Sequence, residues 1–431
     1  MWSIRRWFSL VVALLLMFAL VGTVSLAVAN QKIDYQALEL FTDVLSLVRK
    51  SYVEDTDTTE LIYGAMRGML ATLDPHSSFL TPEMYQEMKD DTHGEFGGLG
   101  IDISMLDGVL LVVTPIEDTP AFKAGIKAGD KIIKIGEQTT KDLELMEAVR
   151  LMRGPKGESI RLTIMREGLS EPKEFVIIRD LIKLQSVKSR PLGDSYGYVR
   201  LSQFQERTGA DLKAQLLALR EAMAAPMQGL ILDLRNNPGG LLDQAVSVSD
   251  LFLADGLIVY TEGREEGSRM SFQAQKDGTE PDYPLVVLIN GGSASAAEIV
   301  AGALHDHDRA IILGEQSFGK GSVQSVIPLG DQSALRLTTA RYFTPSGISI
   351  QARGITPDII VPQLTLSDQK AHLPLREQDM QNHFEPQMKT PALQQPLREN
   401  NNLSAEDRGD YQLMRALDLL KGLNILNRRQ A

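Results

Sequence analysis

Residues 285–299 read Leu-Val-Val-Leu-Ile-Asn-Gly-Gly-Ser-Ala-Ser-Ala-Ala-Glu-Ile, which passes from an apolar run through a glycine turn into a helical pattern. The unbroken apolar run predicts a strand buried on both faces, as is typical of parallel sheets. Gly291 and Gly292 predict the turn, and Ser295 with Glu298 matches the capping box that begins a helix. The stretch therefore predicts a strand–turn–helix unit of an α/β fold.

Two similar segments lie on either side of this stretch. The first is Gly229-Leu-Ile-Leu-Asp-Leu-Arg-Asn-Asn-Pro-Gly-Gly240, an apolar run that ends in a polar turn with two glycines. The second is Gly314-Glu-Gln-Ser-Phe-Gly-Lys-Gly-Ser-Val-Gln324, which is also rich in glycine. Apolar runs and helical patterns alternate from about residue 185 to residue 362. This alternation predicts a mostly parallel central sheet with catalytic groups at the carboxyl ends of its strands.

Ser295 and Lys320 are the candidate catalytic pair. A serine nucleophile needs a base, and a neutral lysine amine is one of the groups that can serve. The two residues are 25 positions apart, so only the fold can bring them together. The ordinary pKa of a lysine is about 10.4, and burial in apolar surroundings lowers it. Gln324 offers an uncharged amide to hold the lysine amine, whereas a carboxylate there would keep the amine protonated.

Backbone amides near Ser295 are candidates for an oxyanion hole. Gly239 and Gly240 allow the chain to approach a substrate carbonyl closely. The N–H of Ala296 lies at a predicted helix N-terminus, where the helix dipole is positive. We therefore expect the amides of these three residues to stabilise the oxyanion. The alternative for the two glycines is an ordinary turn between a strand and a helix.

Other interpretations of the same residues remain open. Ser295 has the pattern of a helix cap and could do no more than cap, and Ser293 is a neighbouring candidate nucleophile. His305 and His307 could bind a metal, or one could act as base for Ser295. His305 lies ten residues beyond Ser295 on the same predicted helix, about 15 Å away, which is too far for a hydrogen bond. We therefore expect both histidines to be residues of a helix end.

Residues 96–182 consist of short β-like segments with two helical patterns. Their order, and above all Ala124-Gly-Ile-Lys-Ala-Gly-Asp-Lys-Ile-Ile133, resembles a circularly permuted PDZ domain of the kind found in bacterial proteases. The resemblance implies that an extended C-terminal peptide binds as an added strand. The loop expected to receive its carboxylate consists of Gly98, Leu99, Gly100 and Ile101. The alternative is that these glycines only make a tight turn.

The N-terminus has the pattern of an export signal. Arg5 and Arg6 precede the apolar run 10–21, and Ala27-Val-Ala29 matches a cleavage site. Cleavage there would change the formal charge from −12 to −14; the alternative is an uncleaved membrane anchor. The acidic balance argues against nucleic acid as a main partner, because nucleic acid attracts clustered Lys and Arg. The chain contains no cysteine, which excludes disulfides and a thiol nucleophile.

These segments together make residues 35–362 similar to the carboxyl-terminal processing proteases, also called tail-specific proteases. The resemblance rests on the segments around Ser295 and Lys320, on residues 233–240, on Thr344-Pro-Ser-Gly-Ile-Ser-Ile-Gln351 and on the PDZ-like region. Several specific segments in one order make the resemblance strong.

The resemblance implies a serine endopeptidase with a Ser–Lys dyad that acts on protein C-termini. Ser295 matches the family's nucleophile, Lys320 its general base and Gln324 the residue that orients the lysine. Ile348 stands where a basic residue is expected, which affects only a peripheral contact. No metal, nucleotide or other cofactor is expected.

The expected fold is an α/β protease core with an inserted PDZ domain that is β-rich with two helices, an N-terminal helical hairpin and a C-terminal helix. The expected parts are a signal peptide at 1–29, an N-terminal helical region at 30–95, a PDZ domain at 96–182, a Ser–Lys protease core at 183–362 and a polar C-terminal extension with a terminal helix at 363–431.

The expected protein is a periplasmic endopeptidase whose peptide-free PDZ domain holds the catalytic site open or misaligned. Its expected partners are protein or peptide substrates bound by their C-termini and an activating adaptor protein. Helices near 38–52 and 411–426 are candidate elements of a homo-oligomer. Two alternatives from other classes are a PDZ adaptor on an inactive protease scaffold, and a metal-dependent hydrolase that uses His305 and His307.

Overall fold

The computed structural model describes residues 35–106, 108–116, 118–141, 143–276, 278–364 and 403–430. The expected signal peptide and most of the polar C-terminal stretch lie outside the described residues. The chain divides into two compact units, of which one comprises Met1–Thr81 and Ile327–Arg336, and the other Pro82–Val326 and Leu337–Ala431. No helix within the described ranges is long and apolar enough to cross a membrane.

The described part of the smaller unit starts with two helices, α1 at residues 35–51 and α2 at Thr58–Ala71. Asp57 caps α2, because its Oδ1 accepts a hydrogen bond from the N–H of Thr59 at 2.6 Å. Strand β1 (Ser78–Leu80) follows and pairs antiparallel with residues 334–336. The predicted pair of N-terminal helices is therefore confirmed.

The remaining described helices are α3 (Pro82–His93), α4 (Pro120–Ala124), α5 (Leu145–Met152), α6 (Thr208–Ala222), α7 (Leu242–Asp250), α8 (Ala296–Asp306), α9 (Ala405–Gly409) and α10 (Tyr411–Gln430). The strands after β1 are β2 (Glu95–Gly98), β3 (Ile101–Leu106), β4 (Val109–Pro115), β5 (Lys131–Ile135), β6 (Gln138–Thr139), β7 (Ser159–Met165), β8 (Lys173–Ile178), β9 (Asp180–Lys183), β10 (Val187–Leu192), β11 (Tyr196–Leu201), β12 (Gly229–Asp233), β13 (Leu257–Gly263), β14 (Met270–Gln273), β15 (Leu285–Ile289), β16 (Ile311–Gly314), β17 (Ser322–Pro328), β18 (Ala334–Phe343) and β19 (Ile359–Ile360).

An antiparallel sheet forms the region that resembled a PDZ domain. Its order is β3-β4-β5-β7-β8, with β6 beside β5, and helices α4 and α5 accompany it. Strands β2 and β9 pair antiparallel where the chain enters and leaves this region. Its fully buried core includes Leu110, Ile132, Leu162 and Ile164. The predicted β-rich domain with two helices is confirmed.

The central sheet runs in the order β10-β11-β12-β15-β16-β19. Strands β10 and β11 are antiparallel, and the other pairings are parallel. Every residue of β12 and of β15 is buried, as their apolar runs predicted. Successive side chains point to opposite faces, so Leu230 and Leu232 join the core with α6, α7 and α8, whereas Ile231 joins the core with α10. The predicted mostly parallel sheet is confirmed.

The C-terminal helix α10 packs on the second face of this sheet. Leu413, Leu417 and Leu420 form an apolar stripe at helical spacing, and each is at most 2% exposed. They share a core with Val286 and Leu288 of β15. The chain's own sheet buries these three residues, so they do not pack on a second copy; a role of the helix at 411–426 in a homo-oligomer stays a prediction.

A second antiparallel sheet had no counterpart in the sequence analysis. Strand β13 pairs with β14 on one side and with β18 on the other, and β17 pairs with β18. Many residues of these strands are only partly buried, so they lack the continuous apolar runs that reveal β12 and β15. This sheet matters for the site because β18 carries the buried Tyr342.

We predict that Leu417→Ala lowers the free energy of unfolding by about 2–5 kcal/mol, because it leaves a cavity between α10 and the sheet. Urea unfolding followed by circular dichroism measures the change. Ile425→Ala on the same helix is the control, since Ile425 is 45% exposed and its truncation is expected to change stability by less than about 0.5 kcal/mol. Equal effects of the two substitutions would contradict the packing of α10 on the sheet.

Candidate active site

Three loops meet at the carboxyl edge of the central sheet, after β12, β15 and β16. These strands are parallel neighbours, and Ile289 at the end of β15 pairs with Gly314 at the end of β16. A Cβ atom on Gly314 would lie 2.1 Å from the carbonyl oxygen of Ile289, so only glycine fits there. Ser295 follows β15 and Lys320 follows β16. The strand pairing thus brings together two segments that are distant in sequence.

Ser295 occupies a backbone conformation that residues other than glycine rarely adopt. Its φ is 55° and its ψ is −114°. It is the N-cap of α8 and is 6% exposed. Such conformations persist only where the surroundings fix them, and they concentrate at functional sites. The serine therefore stands in a strained turn at the positive end of the α8 dipole.

The carboxylate of Glu298 joins the serine loop to the lysine loop. Its Oε2 accepts hydrogen bonds from the N–H of Ser295 at 2.7 Å and from the N–H of Lys320 at 2.9 Å. Its Oε1 accepts from the N–H of Gly319 at 2.7 Å and from the hydroxyl of Ser317 at 2.5 Å. Glu298 is fully buried, so these donors replace water around its charge. The predicted capping bond is present, and it extends into a link between two loops.

Glycines on both sides of Lys320 allow its loop to lie against the segment that follows β18. Gly319 has a φ of 91°, and its carbonyl accepts from the N–H of Ala352 at 2.9 Å. The N–H of Gly321 donates to Oε1 of Gln351 at 3.0 Å, and a Cβ here would lie 2.3 Å from the nitrogen of Gln351. Lys320 itself is half-buried. The backbone is thus fixed on either side of the lysine.

Gln324 lies on β17 and is half-buried. Its Nε2 donates to Oγ of Ser322 at 2.9 Å and to the carbonyl oxygen of the same residue at 3.2 Å. These two bonds fix which way the amide of Gln324 is turned. The expected contact between Gln324 and the amine of Lys320 stays a prediction.

Tyr342 was missed by the sequence analysis, although its hydroxyl forms a side-chain hydrogen bond with Ser295. Its backbone N–H donates to the carbonyl of Gly321 at 2.7 Å. Burial raises the pKa of Tyr342, and the bond to Ser295 only partly opposes this effect. The phenol therefore keeps its proton at neutral pH. Its position two residues before Thr344 was the available signal, but only the pairing of β18 brings it to the serine.

The backbone N–H of Gly239 has a different hydrogen-bond partner from the one that the sequence analysis predicted. Its N–H donates to Oδ1 of Asn237 at 2.9 Å, so it is engaged within its own loop. A Cβ on Gly239 would lie 2.7 Å from Cβ of Ser295 and 3.0 Å from the nitrogen of Ala296. The expectation that Gly239 donates to an oxyanion is therefore corrected: this glycine permits the loop to lie directly against the serine.

The expectation that the amides of Gly240 and Ala296 donate to an oxyanion stays a prediction. Gly240 forms a parallel β-bridge with Phe204. The N–H of Phe204 donates to the carbonyl of Gly239, and the N–H of Leu241 donates to the carbonyl of Phe204, each at 2.9 Å. The N–H of Gly240 therefore points away from Phe204. Ala296 is the first residue of α8, and a first helical N–H has no acceptor within its own helix.

Ser293 has a structural role. It is fully buried, and its hydroxyl donates to the carbonyl of Leu234 at 2.8 Å while accepting from the N–H of Asn290 at 3.0 Å. Oδ1 of Asn290 accepts a hydrogen bond from the backbone N–H of Asn236, and Nδ2 of Asn290 donates to Oδ1 of Asn236, each at 2.9 Å. These bonds tie the serine loop to the loop after β12, and they leave Ser295 as the candidate nucleophile.

The two histidines lie at the opposite end of α8 from Ser295. Nε2 of His305 is 3.2 Å from Oδ1 of Asp358, and Nε2 of His307 is 2.7 Å from the carbonyl oxygen of Leu257. A helix thus separates them from the serine, so neither histidine acts as its base. Within the described ranges, no group of three or more His, Cys, Asp or Glu side chains is arranged to hold a metal ion.

A groove of about 570 Å³ runs beside β3, which is an edge strand of the antiparallel sheet. Leu145, Val149 and Met152 of α5 line its opposite wall, and Gly98–Ile101 lie at its end. Gly100 has a φ of 75°, which a side chain would strain. An edge strand beside an apolar helix is the geometry that accepts a peptide as an added strand.

A serine at a helix N-terminus, a lysine loop joined to it and a peptide groove together define a serine-type peptidase with a PDZ domain. Comparison with known proteins agrees with this class. Family models match three segments: peptidase family S41 at 195–361, PDZ domain at 97–174 and activating protease CtpB N-terminal domain at 22–84.

The carboxy-terminal-processing protease of Bartonella bacilliformis is 50% identical over 362 residues, which cover 84% of this chain and 83% of the relative. The carboxyl-terminal-processing protease of Synechocystis sp. is 42% identical over 330 residues, which cover 74% of this chain and 76% of the relative. A solved photosystem II D1 C-terminal processing protease is 31% identical, covering 75% of this chain and 92% of its own, with a TM-score of 0.45. The chain belongs to the carboxy-terminal-processing proteases of peptidase family S41.

We predict that Glu298→Gln slows acylation of Ser295 by a serine-directed reagent about tenfold or more. Glutamine keeps one acceptor oxygen but turns an NH₂ group toward two of the present donors, and each buried polar group left unpaired costs about 1–3 kcal/mol. Mass spectrometry of the labelled protein measures the acylation rate. Glu262→Gln on the exposed face of β13 is the control. An unchanged rate in Glu298→Gln would show that the two loops do not depend on this carboxylate.

Proposed function

We propose that the protein is an endopeptidase in which Ser295 is the nucleophile and Lys320 is the general base. The observation that carries the proposal is Oε2 of Glu298, which accepts hydrogen bonds from the backbone N–H groups of both residues. Because one acceptor atom serves both, the two loops keep a fixed separation. The dyad needs no metal or other cofactor.

The reaction follows from this arrangement. Oγ of Ser295 attacks the scissile carbonyl carbon while the neutral amine of Lys320 takes the hydroxyl proton. The N–H groups of Gly240 and Ala296 stabilise the negative charge that develops on the carbonyl oxygen. The tetrahedral intermediate then expels the amine, which receives the proton from Lys320, and an ester remains on Ser295. Water attacks this ester with Lys320 again as base and releases the new C-terminus.

Two further side chains support the dyad in this proposal. Nε2 of Gln324 is anchored at Ser322, so we expect its Oε1 to accept a hydrogen bond from the amine of Lys320. The hydroxyl of Tyr342 is hydrogen-bonded to the side chain of Ser295, so we expect it to fix the orientation of the serine hydroxyl. Both groups are uncharged, so neither stabilises the protonated lysine as a carboxylate would.

The proposed role of the PDZ domain, residues 96–182, is to capture protein C-termini and deliver the chain to the dyad in the core at 183–362. The substrate's last residues would add to β3 as a strand, with their carboxylate at Gly98–Ile101. The apolar wall of α5 favours substrates that end in apolar residues. We also propose that an empty groove leaves the catalytic loops misaligned.

The proposed location is the periplasm, with residues 1–29 as the export signal. The partners are protein or peptide substrates and an activating adaptor, and the formal charge of −12 disfavours nucleic acid. For a homo-oligomer, α1 is the element that we propose. Its exposed apolar residues are Leu38, Leu40, Phe41, Val44 and Leu47.

We predict that Ser295→Ala and Lys320→Ala each lower the cleavage rate of an unfolded protein substrate by about 1,000-fold or more, because either change removes a reacting group. Initial rates on gels measure the effect, and circular dichroism verifies folding. His305→Ala is the control and is expected to keep the wild-type rate.

Persistent cleavage by Lys320→Ala would discard the dyad. Wild-type behaviour of Ser295→Ala in every activity would favour a PDZ adaptor on an inactive scaffold. Inhibition of the wild type by a chelator would return attention to His305 and His307.

We predict that Val149→Gln raises KM for a substrate with an apolar C-terminus about tenfold, because it places an amide in the apolar wall of the groove. KM for a short peptide without that terminus is expected to stay unchanged. Arg150→Gln places the same residue on the exposed side of α5 and is the matched control. Equal KM values for the two variants on both substrates would contradict capture by this groove.

A further inference from the structure

A buried charge cluster lies behind the loop that follows β12, and the proposed mechanism does not use it. Its centre is Arg235, which is 7% exposed. A guanidinium group has five N–H donors. Each of the five has an acceptor here, and the acceptors belong to Asp233, Asp410 and Gln412.

Two of these acceptor residues come from the C-terminal segment at the start of α10. Nη1 of Arg235 donates to Oδ1 of Asp410 at 3.0 Å, and Nη2 donates to Oδ2 at 2.7 Å. Nη1 also donates to Oε1 of Gln412 at 3.0 Å. Bidentate arginine–carboxylate pairs are among the strongest side-chain contacts. A segment 175 positions further along the chain therefore binds directly to the catalytic edge of the sheet.

Asp233, the last residue of β12, holds Arg235 from the other side. Its Oδ1 accepts from Nε of Arg235 at 3.0 Å, and its Oδ2 accepts from the hydroxyl of Tyr198 at 2.7 Å. The guanidinium carbon of Arg190 lies 4.1 Å from the ring centre of Tyr198. Arg190 in turn pairs with Asp407 of α9. A second arginine thus links the same C-terminal segment to β10.

Arg235 directly precedes the residues that shape the candidate oxyanion hole. Asn236 bonds reciprocally with Asn290 of the serine loop. Asn237 accepts the N–H of Gly239 at 2.9 Å. Asn236 has a φ of 55°, a conformation that needs fixed neighbours. The position of Arg235 therefore sets where this loop begins.

The negative charge of Asp410 helps to hold Arg235 in its position. A buried guanidinium between two carboxylates is compensated by both, and removing one partner leaves part of its charge and two of its N–H groups without their acceptors. Arg235 would then shift toward Asp233 or toward water. Because the loop follows Arg235 without an intervening residue, Asn236 and the glycines beyond it would shift as well.

We propose that Asp410 is a positioning residue for the peptidase reaction: by holding Arg235, it keeps residues 236–240 in place against Ser295. The inference rests on the proposed role of Ser295. It gives the C-terminal segment, which lies beyond the residues 195–361 matched by the S41 family model, a part in the active site. Asp410 acts only through Arg235 and is not itself a catalytic residue.

The test compares Asp410→Asn with the wild type in the full chain. Oδ1 of Asp410 also accepts the N–H of Leu413 at 3.0 Å, which is a capping bond of α10. Asparagine is an equally good cap, so this substitution removes the charge and one acceptor while keeping the helix start. We expect kcat on a peptide substrate to fall about 10- to 100-fold, as for a misplacement of about 1 Å at an active site, with KM unchanged.

Two variants accompany it. Asp418→Asn loses the same charge on the same helix, where its ion pair with Arg415 is half-exposed, and it is expected to keep the wild-type kcat. Asp410→Glu retains the charge and is expected to recover part of the lost kcat. Hydrogen exchange of residues 234–241, followed by mass spectrometry, is expected to be faster in Asp410→Asn and unchanged in Asp418→Asn.

A wild-type kcat in Asp410→Asn would overturn the inference. An equal loss in Asp418→Asn, or a loss without faster exchange at 234–241, would overturn it too. If Asp410→Asn does not fold, Gln412→Met takes its place, because it removes one acceptor of Nη1; a smaller loss of kcat is expected, and no loss overturns the inference. Ser295→Ala separates the two proposals: its continued activity defeats the proposed function, whereas its inactivity leaves the result for Asp410 to stand alone.

Discussion

The catalytic edge depends on one buried carboxylate, that of Glu298. The paired residues of β15 and β16 end at Ile289 and Gly314. Beyond them, the N–H of Glu315 donates to the carbonyl of Ile289 at 3.1 Å and the N–H of Phe318 donates to the carbonyl of Ser293 at 2.9 Å. Glu298 continues the connection with four hydrogen bonds to the two loops. A buried carboxylate is costly unless its oxygens are fully bonded. Losing any one of the four donors therefore makes burial of this carboxylate less favourable and weakens the other three hydrogen bonds. Together with the backbone bond from Phe318 to Ser293, these four bonds fix the serine loop and the lysine loop to each other.

Much of this arrangement could be predicted from sequence because its signals are local. Strands β12 and β15 are buried on both faces, which forces unbroken apolar runs that are visible in the chain. In a parallel sheet the loops after neighbouring strands meet at one edge. Ser295 follows β15 and Lys320 follows its parallel neighbour β16, so both are candidates for one site. The S-x-x-E pattern likewise predicted the bond between Glu298 and Ser295.

The remaining features depend on contacts that no local pattern records. Tyr342 reaches Ser295 only because β18 joins a sheet whose half-exposed strands lack a clear period. The N–H of Gly239 points toward Asn237. The direction of a single amide depends on the conformation of the whole loop, which a local sequence pattern does not record. The stripe on α10 was visible, but sequence could not distinguish burial on the chain's own sheet from burial on a second copy, because both demand the same apolar spacing.

The peptide groove and the catalytic edge are connected by a short physical path. Leu184 and Lys188 line the groove although they follow β9 and lie toward the core, and Lys188 belongs to β10. Strand β10 pairs with β11, and β11 pairs with β12, whose last residue Asp233 binds Arg235. A ligand shifts an equilibrium only by the difference in its affinity for the two states. A bound C-terminus that contacts β10 has different affinities for the aligned and misaligned states of the catalytic loops if the position of β10 differs between them. The proposed effect of an empty groove on the catalytic loops therefore requires no contact between the peptide in the groove and Ser295.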